Sequence, residues 1–330
     1  METRAIPEGR QERKRIENAL GCSVSDAMLK AMGVSLTDCY WFRDICAKQL
    51  SWEDVNYHTN GFSQETVPVI LYNADNRIVD FRSPDFTTDG ILKKAWVIAS
   101  GVPSLVKFGD FGANAGGKNL LSANEVAAWR LAKTMEICHA EYYPVQIIGT
   151  GEIACATPCF IHSANEKFVS AHQIAEEYKA GGEDLYRCFA DGGMKEDVDR
   201  MIIFDHIIHN TDRHERNFGI IRDADTLQVC RFAPLFDSGS SFGWNYDPER
   251  RDMGETKPFC GSRTSQLGLA CLNGIRLPEE SMVADILKET YEEFQLPERN
   301  FLIARKDIGK SYDTLRFIGK EKNPEEDMER

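Results

Sequence analysis

The sequence has little positive charge and no long apolar run. Across its 330 residues, 39 lysines and arginines are outnumbered by 52 aspartates and glutamates, which gives a formal net charge of −13. Such a chain lacks the basic surface of a sequence-independent nucleic-acid binder and the basic clusters of a membrane-surface protein. Its longest stretch without Asp, Glu, Lys or Arg, residues 153–165, is too short to span a bilayer. We therefore expect no direct nucleic-acid contact and no membrane association.

Several other signals are missing as well. Residues 1–15 are rich in charge and lack the apolar segment of a secretory signal, and the ten cysteines include no CxxC pair. These features predict reduced thiols and a cytoplasmic location. We expect nearly all of the cysteines to be small buried residues. The sequence contains no internal repeat, and its 42% hydrophobic content excludes a disordered chain.

The order of local patterns predicts an α+β protein in three parts. A helical extension covers residues 1–65, a sheet-rich region covers 66–165, and a helix-rich region covers 166–330. Apolar and β-branched runs predict strands at 67–72, 95–99, 104–109, 145–149, 153–161 and 218–221. Helical spacing and capping signals predict helices at 10–20, 123–135, 171–179, 184–190, 195–209 and 278–294, with further helical structure up to residue 50 and a charged tail at 321–330.

The strongest chemical signal lies in the third part. Asp212 and Asn217 are five residues apart, which matches the Asp-x4-Asn spacing of protein-kinase catalytic loops. Asp237 follows on a Gly/Ser-rich turn, and Asp237-Ser238-Gly239 stands where kinases have Asp-Phe-Gly. All three side chains are oxygen donors of the kind that magnesium prefers. Phosphoryl transfer needs such a set, with one carboxylate for the hydroxyl proton and an Asn and a second Asp for the metal.

Two upstream features stand in the order that a kinase requires. Lys107 is near the end of a predicted strand, and Glu125 is early on the next predicted helix. A strand lysine paired with a helix glutamate fixes the ATP phosphates in kinases. Before them, residues 87–96 form a polar turn with a glycine that opens onto a strand, which is a weak signal on its own. The five parts in kinase order are stronger evidence than any one of them.

Each of these residues also has a simpler interpretation. Asp and Asn favour turns, Lys107 could be a solvated strand end, and Glu125 could complete a capping box with Ser122. His206, His209 and His214 could bind zinc, with Asp205 or Asp212 as a fourth ligand. However, no HExxH pattern occurs, and structural histidines are the simpler interpretation. His214 could orient the loop, and Arg213 and Arg216 could pair with carboxylates or with a phosphate.

The motifs resemble a known family. Residues 210–218 fit N-x-D-x-H-x-x-N-F and residues 234–237 fit P-L-Y/F-D, both typical of HipA-like serine/threonine kinases. Asn124-Glu125 resembles the αC-like helix of that family, and residues 87–94 resemble its phosphate-binding loop. The resemblance implies a protein-kinase-like bilobal fold, with a sheet-rich N-lobe, a helix-rich C-lobe and, here, an N-terminal helical extension. Residues 1–65 do not look like the N-terminal subdomain of the best-known members.

The same resemblance implies the roles of single residues. Asp212 would be the general base, and Asn217 and Asp237 would bind Mg²⁺. Lys107 would contact the ATP phosphates, with Glu125 as its partner. The remaining ATP contacts would come from the loop and from an adenine-binding hinge at 155–161, namely Thr87, Thr88, Gly90, Lys94, Cys159 and Phe160. Thr87 falls where the family has a self-phosphorylated residue, whereas the simpler interpretation of Thr87 and Thr88 is a plain turn.

The implied partners are a protein substrate with a Ser or Thr acceptor and an antitoxin-type protein. A glycine-rich segment between Lys107 and Glu125 competes with residues 87–94 as the phosphate cradle, but the family places the cradle before the lysine strand. Three alternatives stay open. They are a catalytically silent binding scaffold, a kinase acting on a lipid or small molecule, and a metal-dependent hydrolase that uses the histidines.

Overall fold

A computed structural model describes most of the chain. The described residues are 17–18, 21–43, 45–46, 50–62, 93–108, 119–147, 151–244, 258–259, 261, 263–272 and 274–322. Several predictions lie outside them: the strand at 67–72, the loop residues Thr87, Thr88 and Gly90, the glycine-rich segment after Lys107, and nearly all of the helix at 10–20.

Helices and strands occur in mixed order, which makes the described chain α+β. The helices are α1 (Val24–Lys30), α2 (Trp52–Val55), α3 (Tyr57–Asn60), α4 (Leu120–Thr134), α5 (Ala171–Tyr178), α6 (Glu183–Phe189), α7 (Lys195–Ile207), α8 (Arg263–Leu267), α9 (Glu280–Glu293) and α10 (Glu298–Lys322). The strands are β1 (Lys93–Ala99), β2 (Val102–Phe108), β3 (Tyr143–Gln146), β4 (Ile153–Pro158), β5 (Glu166–Ser170), β6 (Gly219–Asp223) and β7 (Val229–Phe232).

These elements belong to two compact units. The first unit holds the described residues up to 108 together with 142–169 and 220–233, and the second holds 119–141, 170–219 and the residues from 234 onward. The second unit thus includes helix α4, which lies in the middle of the sequence. The three-part division drawn from the sequence stays a prediction.

A four-stranded antiparallel sheet forms the centre of the first unit, in the order β1-β2-β4-β3. Strands β1 and β2 form a hairpin whose two turn residues, Ser100 and Gly101, have φ of 50° and 81°. Positive φ at both positions is typical of a type I′ turn, which suits the right-handed twist of paired strands. A second sheet has the order β5-β6-β7. The predicted strands at 95–99, 104–109, 145–149, 153–161 and 218–221 correspond to β1, β2, β3, β4 and β6.

The segment before residue 62 contains less helix than the prediction of a mainly helical extension. Residues 17–18, α1, α2 and α3 are helical among its described residues, whereas residues 35–41 form no helix or strand. The buried side chains of Val34, Leu36 and Tyr57 pack with Trp96 of β1 in one apolar cluster. Burial of these side chains stabilises the folded segment by about 25 cal/mol per Å² of apolar surface. This burial keeps the segment in place although part of it has no regular secondary structure.

An ion pair ties β5 to β7 in the first unit. Arg231 donates from both terminal nitrogens to the Glu166 carboxylate, at 2.6 and 3.0 Å, and the second of them also donates to the Phe160 carbonyl at 3.2 Å. The hydrogen bonds from Arg231 hold the pKa of Glu166 below its usual value of 4.5. The pair therefore stabilises the folded state above pH 4.5, and the stabilisation is lost as the pH falls through the lowered pKa.

We expect Glu166→Gln to lower the free energy of unfolding by about 1 kcal/mol at pH 7. Because a protonated glutamate resembles glutamine, the difference between the two proteins should shrink as the pH drops below 4.5. Urea denaturation of both proteins at pH 7, 5 and 4 measures this. Asp184→Asn, at an exposed position on α6, serves as the control. A difference that does not depend on pH would mean that packing rather than charge makes the contribution.

Helices α4 and α7 form the buried centre of the second unit. In α4, the residues Ala123, Val126, Ala127, Ala128, Leu131 and Ala132 are fully buried, and their small side chains allow close packing. Helix α4 begins at Leu120, and Asn119, with φ of 67°, is its N-cap. Ser122 is thus inside the helix and fully buried, so the predicted capping box of Ser122 and Glu125 is wrong.

Helix α10 has 25 residues and follows the predicted helix at 278–294, and the sequence patterns described above do not predict it.

Two further findings concern the cysteines and the length of the helices. All nine described cysteines are free thiols, but only Cys155 and Cys159 are buried, so the prediction of nearly all cysteines as buried residues is wrong. No helix among the described residues has the length and apolar character needed to cross a bilayer.

Candidate active site

The loop after α7 holds Asp212 and Asn217 through short hydrogen bonds. Asn210 is fully buried; its amide donates to Asp205 at 2.9 Å, and its Oδ1 accepts from the backbone N–H of Asp212 at 3.0 Å. Asn217 donates from Nδ2 to the backbone carbonyl of Asp212 at 3.0 Å. The five-residue spacing in the sequence therefore corresponds to a closed loop whose two ends are joined by a side chain.

The segment around Asp237 is held from the first turns of α4. Glu125 is 1% exposed, and its carboxylate accepts from the backbone N–H of Ser238 at 2.8 Å. The neighbouring Asn124 donates to the carbonyls of Gly239 and Ser241 at 2.9 and 2.8 Å. Two adjacent helix residues thus fix the backbone just after Asp237.

Steric crowding explains why the Asp-x-Gly sequence has a glycine at its third position. A Cβ at Gly239 would lie 3.0 Å from the backbone oxygen of Leu121, closer than real side chains allow without a shift. Asp237 itself has φ of 57°, a left-handed conformation that Asp and Asn tolerate better than most residues. The close approach of helix and turn accounts for the glycine, and the left-handed backbone suits the aspartate.

The electrostatics of the loop connect Asp212 with Asp237. Partial burial raises the pKa of Asp212 above its usual 3.8, and the negative charge of Asp237 raises it further, whereas His214 and Arg213 act in the opposite direction. Asp212 still has solvent-exposed surface. The two carboxylates therefore lie close enough for the charge of one to affect the protonation of the other.

The donor set at this site suits magnesium. Asn217 uses its amide nitrogen toward Asp212, so its oxygen is the atom that remains for a ligand. Asp237 is half-buried on a backbone held by Glu125 and Asn124. An amide oxygen and a carboxylate, with substrate phosphates and water as the other ligands, are what Mg²⁺ takes in phosphoryl-transfer sites.

Lys107 lies in the first unit and is buried. It is 3% exposed, and its Nζ donates to the hydroxyl of Tyr142 at 3.1 Å. The alternative of a solvated strand end is therefore wrong. Lys94, half-buried, is its cross-strand neighbour on β1, and Cys155 is its neighbour on β4.

The predicted hinge residues already have protein partners. The backbone N–H of Cys159 donates to the Pro103 carbonyl at 2.8 Å, and the carbonyl of Phe160 accepts from Arg231. The thiol of Cys159 packs in the apolar cluster with Leu36, and burial raises its pKa to about 11. Adenine recognition by these two residues stays a prediction, and these contacts weigh against it.

The zinc alternative finds no support in the described part of the chain. No group of three or more His, Cys, Asp or Glu side chains there could hold a metal ion. His206 is buried, and its Nε2 lies 3.2 Å from the Ser311 carbonyl. This is the structural role that the sequence left as the simpler interpretation.

Sequence reasoning missed the residues that hold the site together. The sequence predicts no separate role for Asn124, and it allows either a carboxylate or a phosphate as the partner of Arg213. The structure pairs Arg213 with Asp205. The hydroxyl of Ser238 and the ring of His139 are 3.1 Å apart although 99 residues separate them. No local pattern marks such contacts, because their partners are far apart in the chain.

Comparisons with known proteins identify the fold of the chain. No protein-family model matches the chain, and no curated protein matches it significantly. Among solved structures, it is similar to the Helicobacter pylori proinflammatory kinase CtkA, with a TM-score of 0.50 and 13% identity over 67% of this chain and 90% of that one. It is also similar to the Shewanella oneidensis MR-1 toxin–antitoxin complex of HipA, HipB and operator DNA, with a TM-score of 0.37 and 15% identity over 69% of this chain and 57% of that one. The likeness to CtkA confirms the predicted α+β, kinase-like fold and, at the level of the fold, the kinase resemblance drawn from the motifs.

Proposed function

We propose that the protein is an ATP- and Mg²⁺-dependent serine/threonine protein kinase of HipA-like type. One observation carries the proposal. In a chain with a kinase-like fold, Asp212, Asn217 and the segment around Asp237 are held in one hydrogen-bonded framework of the second unit, which Arg213 joins through the carbonyls of Asn217 and Phe236. A turn-capping role for these residues would not require the three groups to be held together.

Each residue has a distinct role in this proposal. Asp212 accepts the proton of the acceptor hydroxyl as that oxygen attacks the γ-phosphate and ADP leaves, and its raised pKa makes it a better base than an ordinary aspartate. Asn217 and Asp237 hold Mg²⁺. When bound, the ion neutralises charge on the phosphates. Lys107 binds ATP phosphates, and Glu125 serves the site by holding the Ser238 backbone in addition to its predicted pairing with Lys107.

Further parts of the proposal concern ligands and partners. Thr87, Thr88, Gly90 and Lys94 would form the phosphate-binding loop, with self-phosphorylation at Thr87. The HipA structure is that of a toxin–antitoxin system with HipB, and we extend to this chain the proposal of an antitoxin-type partner. The substrate would be a protein with a Ser or Thr acceptor.

The proposal is tested by incubating the full chain with Mg²⁺ and γ-labelled ATP, with and without a general protein substrate, and mapping labelled sites by mass spectrometry. Metal-dependent label on Ser or Thr supports it, and label at Thr87 supports self-phosphorylation. Label transferred only to a lipid or small molecule would overturn the protein specificity. A protein that binds no ATP in calorimetry would be a scaffold instead.

Lys107→Met should raise the KM for ATP by about tenfold or more, because one charge-assisted contact to phosphate is worth about 1.5–3 kcal/mol. Steady-state rates over a range of ATP concentrations measure this. Lys167→Met is the control, since Lys167 is a half-buried lysine of the same unit that contacts Tyr40. An unchanged KM for ATP in Lys107→Met would contradict the assignment.

A further inference from the structure

Arg213 follows the proposed base and is almost completely buried, with 1% of its surface exposed. A guanidinium carries five N–H donors, and all five have partners here. Two of them go to Asp205 near the end of α7, from Nε at 2.9 Å and from Nη2 at 3.1 Å. This bidentate pair anchors the side chain to the buried helix.

The other three donors reach two different segments. Nη1 donates to the carbonyl of Asn217 at 2.8 Å and to the carbonyl of Phe236 at 2.5 Å, and Nη2 donates to the hydroxyl of Ser238 at 3.2 Å. Asn217 closes the loop that begins at Asp212, whereas Phe236 and Ser238 are the two neighbours of Asp237. A single side chain therefore connects both acidic segments to α7.

Ser238 continues this connection. His139 lies 2.7 Å from the Ala140 carbonyl through Nδ1, so that nitrogen carries the proton and Nε2 accepts from Ser238 at 3.1 Å. The hydroxyl of Ser238 thus accepts from Arg213 and donates to His139. This polar arrangement occupies the position at which typical protein kinases have the phenylalanine of Asp-Phe-Gly.

The guanidinium stays charged in this environment. Burial acts to lower the pKa of Arg213, but the negative charges of Asp205, Asp237 and Glu125 outweigh burial and raise it overall. A buried arginine could be only a stabilising group. However, stabilisation alone would be achieved by the pair with Asp205, without the three bonds to the two loops.

We infer that Arg213 is a positioning residue, whose guanidinium fixes the spacing between the Asp212–Asn217 loop and the Asp237 segment. The catalytic part of this inference rests on the proposed function. The effect of Arg213 on the geometry of the two loops can be tested without an activity assay. Lysine at this position keeps the positive charge but places its donors on one nitrogen, so it cannot serve Asp205 and both loops.

The experiment compares the wild-type chain with Arg213→Lys and with the milder Ser238→Ala. We expect Arg213→Lys to keep most of its thermal stability but to lose about 10–100-fold in kcat, as for groups that orient metal ligands. We also expect a higher Mg²⁺ concentration for half-maximal rate, with a smaller change in KM for ATP. Hydrogen exchange of residues 235–241 should be at least about tenfold faster, and Ser238→Ala should show the same changes to a lesser degree.

Leu185→Ala is the matched control for loss of stability, because Leu185 is fully buried on α6 and belongs to none of these contacts. It should lower the melting temperature without changing the Mg²⁺ requirement. An Arg213→Lys protein with wild-type exchange and kinetics, or with activity that falls only as its folded fraction falls, would overturn the inference. If the wild-type chain transfers no phosphoryl group, the proposed function fails, and the exchange data alone decide whether Arg213 positions the loops.

Discussion

Asp212→Asn should lower the rate of phosphoryl transfer by about 10²–10⁴-fold, the range that a positioned general base contributes. Asparagine keeps the shape of the side chain but cannot accept the proton of the acceptor hydroxyl. The contacts that hold this residue use its backbone, namely the N–H to Asn210 and the carbonyl to Asn217. The substitution therefore leaves the loop in place, and the loss comes from the chemistry.

Measurements of ATP binding distinguish the role of Asp212 as a general base from a role as a ligand. Removal of a negative charge near the phosphates should leave the Kd for ATP unchanged or slightly tighter, which calorimetry measures with the unreactive variant. Asp184→Asn makes the same chemical change at an exposed position of the second unit and should retain full activity. An Asp212→Asn protein with wild-type kcat would rule out Asp212 as the base, whereas weaker ATP binding would indicate a ligand role.

The sequence predicts those parts of the site that depend on residues close to one another in the chain. The Asp-x4-Asn spacing corresponds to one loop closed by Asn217, and the apolar run before it corresponds to α7, which ends at Ile207. The apolar and β-branched run around Lys107 likewise predicts β2. In these cases the residues that determine the structure are neighbours in the chain, so their pattern is visible without the fold.

Other features depend on contacts across long sequence separations. Glu125 holds the backbone of Ser238, 113 residues away, and Asn124 meets the hydroxyl of Tyr291 at 2.6 Å across 167 residues. The sequence suggests instead a local role for Glu125 as a capping partner. Tertiary packing replaces that role, since the N-cap is Asn119, three residues before Ser122, and Glu125 is buried.

The same limit applies to Arg213. A charged residue within a polar loop normally predicts an exposed side chain, and nothing in its neighbours indicates that Asp205, eight residues earlier, will lie beside it. Between the two paired residues, α7 ends at Ile207 and His209 adopts a left-handed conformation with φ of 54°. A left-handed conformation at a residue other than glycine cannot be predicted from composition alone.

Asp237→Asn should lower the rate of phosphoryl transfer by about 10²–10³-fold and should raise the Mg²⁺ concentration needed for activity. A metal ion that stabilises transferring phosphate is worth several kcal/mol, and each 1.36 kcal/mol is about a tenfold change in rate. Asparagine is the suitable replacement because it tolerates the φ of 57° at this position. Rates measured across a Mg²⁺ titration, at saturating ATP, give both quantities.

Two arguments separate this loss from an indirect effect on the base. The charge of Asp237 raises the pKa of Asp212, so its removal lowers that pKa and leaves the base more fully deprotonated at neutral pH. A slower reaction therefore cannot result from protonation of Asp212. Asp212→Asn should in turn leave the Mg²⁺ requirement of its residual activity near wild type, because Asp212 is not assigned as a ligand. If the two variants shifted the Mg²⁺ requirement equally, the division of roles between the two carboxylates would be wrong, and both would have to be treated as ligands of one metal site.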